Sequence, residues 1–98
     1  MVPVIYAPEA ECDLDGITAY IAKDNPKAAE QFGFRLIARA ELLGSFPRLG
    51  RPVHGKRNVR VLLESPVEIY YRLRPGGRCV EILRFWHASR DPDSLVMD

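Results

Sequence analysis

The residues best able to do chemistry in this sequence are basic, and they are concentrated in its second half. Six of them fall within residues 47–63 without an intervening acid: Arg48, Arg51, His54, Lys56, Arg57 and Arg60. Arg72 and Arg84 come later, followed by His87 and Arg90. Guanidinium groups can hold a phosphate through two parallel hydrogen bonds. The pattern therefore favours a surface that binds phosphate or another anion.

Three of these arginines and one histidine could form a catalytic group. If the strands that contain them pair as consecutive hairpins, Arg60, Arg72 and Arg84 can converge on one face of a sheet. An imidazole titrates near neutral pH, so His87 could act beside them as a general acid or base. Such a group suits metal-independent cleavage of RNA by its own 2′-hydroxyl, and it suits electrostatic docking on a protein equally well. A structural alternative stays open for Arg84, paired with Glu81 or a tail aspartate, and for His87, hydrogen-bonded to the tail.

The sequence contains none of the short motifs that hold nucleotides, dinucleotides or catalytic zinc. G-x-x-x-x-G-K, G-x-G-x-x-G, G-x-S-x-G and H-E-x-x-H are all absent. Cys12 and Cys79 are isolated, and the two histidines lack the spacing of metal ligands. We therefore expect no cofactor, no metal ion and two reduced cysteines.

The composition predicts one globular domain. The chain has 98 residues, of which 47% are hydrophobic and 28% charged. No apolar run approaches the roughly 18–20 residues that span a bilayer, and the N-terminus lacks the features of a signal peptide. We expect a cytoplasmic protein without membrane contact, in which residues 1–98 form a single domain and the last few residues are a tail that can be flexible.

Charge is segregated along the chain, although the net charge is only +1. Residues 1–30 carry six acids and two lysines, whereas residues 31–90 carry twelve basic residues and four acids. The last eight residues add Asp91, Asp93 and Asp98. If these segments occupy different surfaces, a basic face would attract polyanions or an acidic partner. The alternative is that the basic residues are scattered over a solvated surface.

Two helices are predicted after a short first strand at residues 2–6. Apolar residues recur four, three and four positions apart over residues 8–23, which is helical spacing. Asn25-Pro26 supplies an N-cap and a first-turn proline for a second amphipathic helix. This helix is expected to end near Gly44 or Phe46. Because the link between the helices is so short, they should form an antiparallel hairpin.

Three further strands are predicted in the second half, after a loop at residues 47–58. They cover residues 59–63, 67–73 and 79–86, separated by turns that contain proline or glycine. The last strand is apolar on both faces, so we expect it to be central. The order β-α-α-β-β-β predicts an α+β domain with the helices on one face of the sheet and the other face open to solvent or a partner.

Pieces of the sequence from about residue 4 to residue 91 occur in an order and spacing that resemble one family. They are Asp13-Leu14-x-x-Ile17-x-x-Tyr20-Ile21-Ala22, Asn25-Pro26-x-Ala28-Ala29, Leu42-Leu43, Pro47-x-x-Gly50-Arg51-Pro52, Val59-Arg60-x-Leu62, Ile69-x-Tyr71-Arg72, Ile82-Leu83-Arg84 and His87-Ala88-Ser89-Arg90-Asp91. Together they resemble the toxins of type II toxin–antitoxin modules, the RelE/ParE superfamily. The resemblance implies the small toxin fold, a helical hairpin packed on a twisted antiparallel sheet.

The resemblance implies one of two activities, because RelE-like toxins are ribosome-dependent mRNA endonucleases and ParE-like toxins inhibit DNA gyrase. The closing His87-x-x-Arg90-Asp91 with Trp86 before it resembles the ParE-like branch and the plasmid-stabilisation proteins. No tyrosine follows Tyr71 to take the place of the C-terminal catalytic tyrosine of many RelE-like nucleases. We therefore expect a gyrase inhibitor.

Two alternatives remain open. In the first, the chain is an mRNA endonuclease with Arg60, Arg72, Arg84 and His87 as catalytic residues. In the second, it is an inactive toxin fold that only binds its antitoxin.

Every alternative implies a cognate antitoxin of the ParD or RelB type, bound in a hetero-oligomer. Its amphipathic C-terminal segment would fold in a groove beside the helical hairpin and add a strand at an open sheet edge. The expected contacts with the target are Arg51, Lys56, Arg57 and Arg90. That target is DNA gyrase or, in the nuclease alternative, the ribosome and mRNA.

Overall fold

A computed structural model describes residues 1–97 of the chain. Its helices and strands, in chain order, are β1 (Val4–Tyr6), α1 (Pro8–Ala22), α2 (Pro26–Leu42), β2 (Arg51–Pro52), β3 (Val59–Glu64), β4 (Val67–Leu73) and β5 (Val80–His87). The predicted α+β class and the predicted order of elements are confirmed, with β2 as an addition inside the expected loop. Asp98, counted above among the tail acids, lies outside the described residues.

The five strands form one sheet in the order β1-β5-β4-β3-β2. β3, β4 and β5 form the expected antiparallel meander, and β2 pairs antiparallel with β3. β1 is parallel to β5, with Val4 opposite Val80 and Tyr6 opposite Ile82, so the sheet is mixed rather than wholly antiparallel. A parallel pair needs a long crossover, which the two helices and the meander after them supply.

The helical hairpin forms where the sequence places its caps and prolines. Pro8 starts α1. Glu9 and Glu11 in the first turn stabilise the helix, because their negative charges lie near the positive end of its dipole. The Asn25 side chain accepts a hydrogen bond from the Ala28 N–H at 3.0 Å and so caps α2. Within residues 1–97, neither helix has the length and hydropathy needed to cross a bilayer.

The main core lies between the hairpin and one face of the sheet. Buried residues of α2 such as Leu36 pack with Ile69 and Tyr71 of β4 and with Ile82 and Phe85 of β5. Successive side chains of a strand point to opposite faces of the sheet, so the residues between these core residues lie on the face that is turned away from the helices.

The second face of the sheet was expected to be open, and this expectation is wrong. Val61, Tyr70 and Trp86 form a second buried cluster there with two neighbouring residues, and Leu95 and Met97 of the tail pack against it. The physical reason is the apolar pattern of the inner strands on both faces, which demands a cover on each side. The tail supplies part of that cover.

Candidate functional site

Arg84, one of the four predicted catalytic residues, is held in an ion pair inside the molecule. Its Nε and Nη2 atoms donate to the two carboxylate oxygens of Asp13 on α1, at 2.7 and 2.9 Å. The same carboxylate accepts the Phe85 N–H at 3.1 Å. β1 ends opposite Ile82, so Asp13 covers the edge of β5 that β1 leaves bare. The hydrogen bonds that Arg84 donates to Asp13 raise the pKa of Arg84, although its partial burial acts in the opposite direction.

Arg72, the second of the four, is also paired internally. It lies opposite Glu81 across the β4–β5 ladder, and its Nη2 atom donates to the Glu81 carboxylate at 3.0 Å. Arg74, two residues further on, lies 3.7 Å from the same oxygen. Glu81 therefore neutralises Arg72 and only partly balances Arg74.

Arg60 and His87 complete the predicted group, and the structure places them far from each other. Arg60 is opposite Tyr71 on the helix-facing side of the sheet, whereas Arg72 lies on the other side. His87 is opposite Val67, four residues along β4 from Tyr71 and two strands from Arg60, so their Cα atoms are about 16 Å apart. The expected convergence on one uncovered face is not found.

Arg60 instead belongs to a group of cations at the other end of the sheet. Four basic side chains line one cleft, which we call the basic cleft: Arg48, Lys56, Arg60 and Arg74. The cleft has a volume of about 390 Å³ and lies between the loop before β3 and the turn of Pro75, Gly76 and Gly77. Its lining, within the described part of the chain, includes no acidic residue.

The basic cleft is lined by guanidinium and ammonium groups, which bind anions. Its lining, as far as residues 1–97 go, includes no histidine, tyrosine, cysteine or carboxylate. The nearby Tyr71 hydroxyl is occupied, since it donates to the Pro47 carbonyl at 2.7 Å and accepts the Gly50 N–H at 2.9 Å. Burial raises the pKa of this hydroxyl, and the hydrogen bond from the Gly50 N–H opposes that shift. Arg60 donates to the Gly50 carbonyl at 2.7 Å, which fixes the guanidinium at the edge of the cleft.

A larger and mostly apolar cleft, the hairpin cleft, lies at the opposite end of the sheet. It has a volume of about 810 Å³ and is bounded by α1, α2 and the adjoining ends of β4 and β5. Its apolar lining is Ile17, Tyr20, Ile21, Phe32, Val67 and Phe85. Tyr20 stands at its side with 74% of its surface exposed. Such a groove is the kind that takes the apolar face of an amphipathic segment.

His87 and Arg90 lie at the polar rim of the hairpin cleft. The His87 Nδ1 atom accepts the Ser89 N–H at 3.1 Å and lies 2.7 Å from the Ser89 Oγ. The Arg90 guanidinium stands over the Trp86 ring, 3.9 Å from its centre. The predicted target contacts are therefore divided: Arg90 is at the hairpin cleft and Lys56 is in the basic cleft.

The two other predicted target contacts, Arg51 and Arg57, line neither cleft and are exposed. Sequence analysis also missed Arg74 as a site residue, because it sits in a turn that looked purely structural. Arg48 was noted only as a member of the basic loop. No group of histidine, cysteine or acidic side chains suited to a metal ion occurs among residues 1–97.

Comparisons with known proteins agree on one family. Residues 4–92 match the family described as the ParE toxin of the type II toxin–antitoxin system parDE. The Sinorhizobium fredii protein named "Putative toxin Y4kP" is 40% identical over 79 residues, which cover 79% of this chain and 78% of that protein.

Two solved structures resemble the fold. A chain from the chromosomal ParDE system of P. aeruginosa superposes with a TM-score of 0.76 at 26% identity, covering 91% of this chain and 98% of that one. A chain from the RelBE2 toxin–antitoxin complex of Mycobacterium tuberculosis gives a TM-score of 0.57 at 22% identity, covering 88% and 96%. The second likeness concerns the fold alone.

Proposed function

We infer that this chain, which belongs to the ParE family of toxins from type II toxin–antitoxin systems, inhibits DNA gyrase in the cytoplasm and is neutralised by a cognate antitoxin. The observation that supports binding over catalysis is the composition of the basic cleft. Four cations line it, and its described lining contains no histidine, tyrosine, cysteine or carboxylate beside them. A toxin with such a site would act by binding its target rather than by cleaving RNA.

The mRNA endonuclease alternative has weaker support in the geometry. It needs several arginines and a general acid or base around one phosphate. Arg72 and Arg84 are engaged by carboxylates, and His87 is at the opposite end of the sheet from Arg60. We therefore keep RNA cleavage as an outcome of the test rather than as a second proposal.

Production of the chain in bacterial cells can distinguish gyrase inhibition from mRNA cleavage. After induction without an antitoxin, we expect growth to stop with double-strand DNA breaks and DNA-damage signalling while amino-acid incorporation continues at first. A gyrase variant resistant to the toxin should restore growth. Early translation arrest with cleaved mRNA would overturn the proposal.

The antitoxin is expected in the hairpin cleft. The apolar lining would receive the hydrophobic face of a short helix, and Arg35, His87 and Arg90 at the rim would meet acidic residues. A strand could follow this helix onto β3, because β2 pairs with Arg60 and Val61 and leaves the end of β3 beyond Val61 without a strand partner on that side, within residues 1–97. The partner would thus be an acidic and amphipathic segment that folds on binding.

Two exposed aromatic residues of the hairpin give a matched test of this placement. Tyr20 lines the hairpin cleft, whereas Phe34, with a similar exposure of 67%, faces the outer side of the hairpin. We expect Tyr20→Ala to weaken antitoxin binding by about tenfold or more and Phe34→Ala to leave it within about twofold, as measured by calorimetry. The reverse order would place the antitoxin on the outer face.

A further inference from the structure

We propose that the basic cleft binds the phosphodiester backbone of duplex DNA. The choice of DNA rests on the proposed function, since gyrase holds DNA while it works. The binding chemistry itself rests on the cleft. The toxin would then contact the nucleic acid in the gyrase complex as well as the enzyme.

Within residues 1–97, the charges of the cleft face no acidic side chain in its lining, which favours an external anion. Arg48, Lys56, Arg60 and Arg74 come from three separate segments and face one cavity. The Glu81 carboxylate lies 3.7 Å from the Arg74 guanidinium but is paired more closely with Arg72, at 3.0 Å, so it balances Arg74 only in part. Cations around one cavity that are not fully neutralised repel one another, and an external anion relieves that repulsion.

The wall of the cleft also leaves room for a nucleic-acid backbone to approach. Gly76 and Gly77 form part of its wall at φ values of 80° and 66°. A Cβ atom at Gly77 would meet nothing within 4 Å, so this part of the wall is open to a ligand. Three of the four cations are arginines, which match phosphate oxygens with paired N–H groups.

An acidic peptide fits this cleft less well than a phosphate backbone does. A bound peptide needs apolar pockets or a free strand edge to fix its register. The neighbouring edge strand ends at Pro52, which lines the cleft and has no N–H to offer. Charge without such anchors is the usual basis of backbone binding to nucleic acid.

The test measures binding of the full chain to a fluorescent 20-base-pair duplex in the absence of gyrase. Arg48→Gln/Arg74→Gln removes two cleft cations whose guanidinium groups donate no hydrogen bond within residues 1–97, although that of Arg74 lies 3.7 Å from the Glu81 carboxylate. Lys23→Gln/Lys27→Gln removes the same charge at the far end of the hairpin. A polyglutamate peptide of equal charge is the competitor.

We expect the cleft variant to bind DNA at least ~10-fold more weakly at 0.1 M salt. The magnitude of the slope of log affinity against log salt concentration should fall by about two, because two phosphate contacts are lost. The control variant should stay within ~3-fold, and polyglutamate should compete ~10-fold less well than DNA. Equal losses in both variants would show diffuse attraction and overturn the proposal. Polyglutamate binding as tight as DNA binding would also overturn it, by assigning the cleft to an acidic protein.

Inhibition of gyrase by the same proteins separates the two proposals. Gyrase inhibition without DNA binding would refute only the role of the basic cleft. DNA binding without gyrase inhibition would refute only the proposed target.

Discussion

The ion pair of Asp13 and Arg84 should serve stability rather than target recognition, and Asp13→Ala tests this. The carboxylate accepts two hydrogen bonds from the guanidinium and one from the Phe85 N–H, and the two side chains are only 11% and 16% exposed. Breaking one side of a buried pair costs about 3–5 kcal/mol. Here Arg84 keeps its bond to the Val96 carbonyl and its place over Trp86. We therefore expect a loss of about 2–4 kcal/mol in the free energy of unfolding.

Urea unfolding followed by circular dichroism measures this loss. In a domain of this size, it should lower the melting temperature by about 8 °C or more. Arg84→Met should cost a similar amount, and the double variant should cost at least ~1 kcal/mol less than the sum of the two. Asp15→Ala, an exposed carboxylate on the same helix, is the control and should change stability by at most ~0.5 kcal/mol.

Two outcomes would refute this account of Arg84. One is additivity of the two single changes within ~0.5 kcal/mol, since uncoupled residues do not form a stabilising pair. The other is an Arg84→Met variant that folds as stably as the native chain but no longer inhibits gyrase. That result would make Arg84 a contact with the target.

Other predictions concern pH and two glycines. Burial is the main cause of a raised pKa in Tyr6, Tyr70 and Tyr71, so the folded chain keeps protons that the unfolded chain loses above a pH of about 10. Stability should be complete below that pH and fall above it, by up to ~1.4 kcal/mol per pH unit for each tyrosine, in urea melts between pH 8 and pH 11; constant midpoints would contradict this. Gly50→Ala should cost about 1–3 kcal/mol, because its Cβ would lie 2.7 Å from a β3 carbonyl oxygen and 2.8 Å from the Tyr71 ring. Gly16→Ala, with nothing within 4 Å of its Cβ in α1, should instead stabilise by about 0.5–1 kcal/mol, and thermal shifts of the same sign in both would contradict the packing argument.

Most of the fold could be predicted because its elements carry local signals. Asn25 and Pro26 mark the start of α2, and the structure shows the cap that they predict. β4 begins and ends where its alternation does, at Val67 and Leu73. β2 could not be predicted, because two residues with a proline carry no strand pattern. Its existence depends on pairing with β3.

The site was less predictable because it depends on register and on distant partners. Arg60 and Arg72 come from adjacent strands, yet the pairing of Arg60 with Tyr71 puts them on opposite faces. Arg84 is bound by a residue 71 positions earlier in the chain. A register shift between Tyr70 and Tyr71 changes the alternation on β5 as well. No local pattern in a single sequence encodes any of these relations.

The most direct test of the proposed function is gyrase supercoiling of a relaxed plasmid in the presence of the purified chain. Dose-dependent loss of supercoiling, reversed by the cognate antitoxin, is the predicted result. Unaltered supercoiling at a large molar excess of folded protein, together with cleavage of mRNA on ribosomes by the same preparation, would contradict it.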